Sequence, residues 1–107
     1  MRRYRLEEMK RGWFMGDFDP SILRTDLFEV GYKHHHAGEG WPAHFQRIAV
    51  EYNVLIQGRM AIGEDTFNDG DIFVIPPGEV VKPIFLSDCE LIVVKVPSLP
   101  EDKVVVE

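Results

Sequence analysis

The chain of 107 residues has one cysteine, Cys89, which excludes an intrachain disulfide. Cys89 opens the apolar run 89–96 and reads as a small core residue, since no cationic niche marks it as a reactive thiolate. No apolar run approaches the length of a membrane span, and none follows the charged N-terminus. Neither a membrane anchor nor a signal peptide is therefore expected, and the expected location is the cytoplasm. Positive charge is scarce: 12 basic residues face 18 acidic ones, for a net charge of −6. That balance argues against nucleic acid or an anionic membrane as partner. The basic residues near the start (Arg2, Arg3, Arg5, Lys10, Arg11) are interrupted by Glu7 and Glu8 and read as a solvated segment. A phosphate-cradling glycine loop and a paired-cysteine zinc pattern are missing, and Ser21, Ser87 and Ser98 lack a nucleophile-elbow context. Internal repeats and low-complexity linkers are missing as well.

What is present is a run of short strands in a single domain, with 45% hydrophobic residues to fill a core. Residues 27–36 alternate, with Phe28, Val30, Tyr32, His34 and His36 on one face and Glu29, Lys33 and His35 on the other. Ala37-Gly-Glu-Gly40 is a turn, and Pro42 keeps the next segment extended. Strands are predicted over 43–46, 51–57, 60–63, 72–75, 80–86, 89–96 and 104–106, with a turn at Asn68-Asp69-Gly70-Asp71. Residues 4–10 suit a short strand or one helical turn, and 12–20 an extended aromatic arm. Closely spaced short strands with Gly and Pro turns imply a sandwich or barrel.

Two segments carry a more specific pattern. The first is His44-Phe-Gln46, four residues, Glu51, six residues, Gly58; the second is Gly70, five residues, Pro76-Pro-Gly78. In order and spacing these resemble the two motifs of the cupin family: His-x-His, three or four residues, Glu, six residues, Gly; then Gly, five residues, Pro-x-Gly, two residues, His. The resemblance covers about residues 28–97. It implies an all-β fold, the cupin double-stranded β-helix or jelly-roll barrel, spanning residues 28–107. Residues 1–27 would be an arm packing on the barrel or on a neighbouring subunit, and a homodimer is implied. It also implies a divalent metal held near the barrel mouth. Here Gln46 stands where the second His belongs, and Val81 where the third belongs.

His44 and Glu51 keep their ligand positions, and imidazole with carboxylate suits Fe, Mn, Ni or Zn. Gln46 offers only a neutral amide oxygen, better suited to Ca or Mg. A metal is therefore expected to be absent or weak, unless His34 or His36 faces the cavity and replaces a lost ligand. Alternation leaves both phases open: either those two point inward, or His35 does. Asn53 and Gln57 share the Glu51 face. Tyr32, Trp41 and Phe85 are candidate ligand contacts at the mouth, with Trp13 as a further capping or packing residue. Tyr52, Val54 and Ile56 form an apolar stripe that needs a covering.

The expected function is a small-molecule binder, non-catalytic or sensor-like, whose ligand is a sugar or organic acid. One alternative is a divalent-metal-dependent enzyme of dioxygenase or isomerase type, using His44 and Glu51 with His34 or His36. Another is a metal-free sugar-nucleotide isomerase or epimerase with His44 as base, as the resemblance to deoxysugar-modifying cupins implies.

Overall fold

Alternation over residues 89–94 marks the central strand: Cys89, Leu91 and Val93 are buried, while the residues between them are less so. The computed structural model describes residues 1–106; Glu107, the last residue of the expected barrel span, lies outside the described residues. A three-residue helical turn, Leu6–Glu8, precedes eleven strands. These are β1 (Trp13–Gly16), β2 (Leu23–Arg24), β3 (Glu29–His35), β4 (His44–Gln46), β5 (Val50–Gln57), β6 (Met60–Ile62), β7 (Asp65–Phe67), β8 (Ile72–Ile75), β9 (Pro83–Phe85), β10 (Cys89–Val96) and β11 (Lys103–Val105).

The large sheet runs β2-β1-β3-β10-β5-β8, a smaller one runs β7-β6-β9, and β11 pairs with β4 as a two-stranded ribbon. Apart from the parallel pair β1 and β2, the pairings are antiparallel. The buried cluster Leu55, Met60, Phe85, Cys89, Leu91 and Val93 joins strands of both larger sheets into one core, the closed arrangement of a double-stranded β-helix. Gly58 permits the tight turn between β5 and β6. Its φ is 117°, and a Cβ there would meet the Asp88 carbonyl oxygen at 2.4 Å.

The register fixes which residues share a row. Across β3, β10, β5 and β8 one inward row is Glu29, Lys95, Glu51 and Ile75; the next is Gly31, Val93, Asn53 and Phe73. The outer face carries Val30, Val94, Tyr52 and Val74 in one row and Tyr32, Ile92, Val54 and Ile72 in the next. A short strand, β7, was not anticipated, because Asp65-Thr-Phe is too brief and polar to announce one. The strand expected over 80–86 shrinks to β9, with Val81 making an isolated bridge to His44. No helix among the described residues is long and apolar enough to cross a membrane.

Candidate functional site: the barrel cavity

The inner rows of the large sheet and the facing strands enclose a cavity of about 380 Å³. Its sequence-predicted members are His44 and Gln46 from β4, Glu51 and Asn53 from β5, Phe85 from β9, and Trp41 from the loop before β4. His44 Nδ1 bonds the Pro42 carbonyl at 2.9 Å, which orients the ring, and Asn53 Nδ2 donates to Glu51 Oε2 at 3.1 Å. Gln46 is buried at 5% exposure.

β3 takes the phase with Glu29, Gly31, Lys33 and His35 inward. His34 and His36 therefore do not join His44 and Glu51; both are exposed on the outer face. The ring entering the cavity is His35, stacked on Phe85 with centroids 4.1 Å apart and edge-on to Trp41 at 5.7 Å. Tyr32 also lies outside the cavity, donating its hydroxyl to Glu90 Oε1 at 2.6 Å, because its even-numbered position puts it on the outer face. Gln57 is exposed, since a register irregularity where β10 pairs with β5 interrupts the row.

The turn after β3 braces three lining residues, His35, Trp41 and Phe85, from behind. Gly38 N–H donates to the Phe85 carbonyl at 2.8 Å, and Phe85 N–H donates to that of Glu39 at 3.3 Å. Glu39 is thereby held against His35 Nδ1 at 2.5 Å and accepts from Trp41 Nε1 at 2.8 Å. Those bonds, His35 first and Trp41 second, hold its carboxyl at a pKa of about 2.

Charge distinguishes this cavity. Lys33, Lys95 and Lys103 line it together with Arg11, although the chain as a whole is acidic. Lys33 and Lys95 lie over the Trp13 ring, 5.3 and 5.1 Å from its centroid, and Lys103 lies 4.7 Å from that of Trp41. Gly31 makes room for Trp13, because a Cβ there would meet the indole at 2.6 Å. Burial and then repulsion from Arg11, Lys95 and Lys103 pull Lys33 down to about 8; Lys103 is lowered by burial first and then by Lys95. Glu29 and Glu51 flank Lys95 in its row. Burial raises the pKa of Glu29, against the opposing hydrogen bond from Ser98 Oγ at 2.9 Å.

Sequence reasoning named His44, Gln46, Glu51, Asn53, Trp41 and Phe85 but missed the lysines and Glu29. The lysines come from strands far apart in the sequence: β3 and β10 pair with each other, and β11 reaches the cavity through its pairing with β4.

The donor set does not suit a divalent metal at the place the motif implies. Among the described residues, no three His, Cys, Asp or Glu ligand atoms inside the cavity come within 4.8 Å of one another. Gln46 contributes a neutral amide and Val81 only hydrocarbon. The one such group among the described residues is His34, His36 and Asp88, outside the cavity.

No family model matches the chain, and no curated protein does. Solved structures match over most of its length. An uncharacterized conserved protein with a double-stranded β-helix domain from Klebsiella pneumoniae has a TM-score of 0.72 at 19% identity, over 99% of this chain and 92% of that one. The DMSP lyase DddQ of Ruegeria pomeroyi has a TM-score of 0.70 at 17% identity, over 96% of this chain and 55% of that one. This chain thus spans about half of that enzyme's length. A cupin-2 domain containing protein from Shewanella frigidimarina has a TM-score of 0.58 at 18% identity, over 70% and 76% of the two chains. The fold is therefore the cupin fold, a double-stranded β-helix barrel with a cavity inside it. Such neighbours include enzymes and uncharacterized proteins alike, and fold does not choose among their activities.

Proposed function

We propose that the barrel binds a small organic anion, an organic acid or an acidic sugar, and holds it without turnover. The observation that carries this reading is the group Lys33, Lys95, Lys103 and Arg11 in a cavity that Trp13 and Trp41 also line. Glu29 and Glu51 flank Lys95 within the row, but Lys33 and Lys103 are held where like charges and burial oppose their protonation. A carboxylate or phosphate entering the cavity relieves both, and the indoles suit the apolar face of a sugar. The volume falls within the range of small-molecule sites, about 300–1,000 Å³. The missing metal donors favour binding over metal-dependent turnover. His44, Gln46 and Asn53 then serve as polar contacts.

The test is a matched pair, gluconate against glucose, titrated while following the fluorescence of Trp13 and Trp41, with succinate as a second acid. Gluconate should bind at least tenfold more tightly than glucose. Lys103→Met should weaken it by about tenfold or more, the equivalent of losing a charge-assisted contact of about 1.5–3 kcal/mol. Equal affinity for gluconate and glucose, or an undiminished Lys103→Met, counts against the reading. Chemical conversion of a bound acid that stops in His44→Ala would replace it with the isomerase alternative.

The reading extends to a second copy of the chain. Tyr52, Ile56, Ile72 and Val74 are 43%, 46%, 72% and 52% exposed on the outer face of the large sheet. A homodimer seated there would cover them.

A further inference from the structure

The same alternation that turns His35 inward leaves His34 and His36 side by side on the outer face. In the pairing of β3 with β10, Cys89 lies opposite His35 and Glu90 opposite His34, so Asp88 falls opposite His36. Each of the three offers a ligand atom, and these atoms lie within 4.8 Å of one another. The two imidazoles meet edge-on, with centroids 5.0 Å apart and planes at 85°. We propose that His34, His36 and Asp88 form a divalent transition-metal site on the outer face of the barrel, separate from the cavity.

Three features favour it. The backbone is fixed, because His35 between the two ligands is only 8% exposed and clamped by Phe85 and Glu39. The carboxylate is oriented, because Asp88 Oδ1 accepts the Ala37 N–H at 2.9 Å, the kind of outer bond that steadies a metal ligand. The side chains are exposed, so the ion keeps water on its remaining positions. Ligand atoms around a metal at about 2.1 Å sit roughly 3–3.5 Å apart, so small rotations of exposed side chains close the site. Two imidazoles and one carboxylate select Zn, Ni, Co or Cu over Mg or Ca. Glu90, the next acidic residue on this face of β10, is already engaged by Tyr32 and is not counted as a ligand.

The experiment uses the tag-free chain, stripped with chelator and exchanged into chelator-free buffer. Nickel chloride is titrated calorimetrically, and cobalt is added in parallel to follow its absorption bands. The expected result is one saturable ion per chain with micromolar affinity, weakened at least tenfold by His34→Ala and by His36→Ala. Asp88→Asn, which keeps an acceptor for the Ala37 N–H, should weaken it less. His44→Ala should leave it unchanged. No saturable uptake below about 1 mM, undiminished uptake in both histidine variants, or loss of uptake in His44→Ala would overturn the proposal. The last outcome would return the metal to the cavity. Failure here leaves the anion reading untouched, since the probes and residues differ.

Discussion

Lys33 sits where burial and several of the cavity's charges act on one side chain. Its Nζ donates to the Arg11 carbonyl at 2.7 Å, and burial with three neighbouring cations pulls its pKa from 10.5 to about 8. The sign follows directly. Below pH 8 the folded protein carries this ammonium at a cost to stability, and the cost fades as pH rises from 8 towards 10.5. Anion binding runs the other way, because it needs the charged form. Gluconate affinity should fall as pH rises from 7 to 9, and the fall should flatten in Lys33→Met; titrations at three pH values check this. A slope that survives in Lys33→Met would assign the charge loss to another group. The residue pattern also shows why the phase of β3 could not be read from the sequence. One face offered Val30 and Tyr32, the other Glu29 and Lys33. The rule that apolar residues point inward selects the wrong set when the interior is a polar cavity. His35, the ring that enters the cavity, was hidden by that ambiguity.

Among the elements, the C-terminal tail does more than its sequence suggests. Asp102 is 5% exposed and accepts the N–H groups of Ile48 at 2.9 Å and Ala49 at 2.8 Å, while its carbonyl accepts from Arg47 N–H at 3.1 Å. It pins β11 and the connection between β4 and β5, and so holds His44 and Gln46 in place. Asp102→Ala would leave two backbone donors without their acceptor, at a cost of about 2–4 kcal/mol. A urea unfolding midpoint shifted accordingly checks it, and a loss below about 0.5 kcal/mol would contradict the role. Strands β10 and β8 were legible in sequence to the residue, because each is a short, mostly apolar run bounded by polar, glycine or proline turn residues. The motif glycines and prolines located the turns. Illegible were the pairings that bring Lys95 between Glu29 and Glu51, and Asp88 beside His36, since these depend on which strands become neighbours.

At the scale of the whole molecule, the outer face of the large sheet exposes Tyr52, Ile56, Ile72 and Val74. Sedimentation velocity should find a dimer, and Ile72→Lys with Val74→Lys should return it to monomers without loss of fold. An unchanged mass in that variant would place the contact elsewhere. The distribution of charge has a kinetic consequence as well. The chain is anionic overall at −6, yet its cavity is lined by lysines. An anionic ligand therefore meets a repulsive field far from the protein and an attractive one only at the mouth. Salt screens the far field first, over a Debye length of about 10 Å at 0.1 M, and reaches the half-buried Lys33 and Lys95 less. Moderate salt should thus speed the ligand's arrival and, as it rises further, shorten its stay, so that the rate constants for entry and exit both climb.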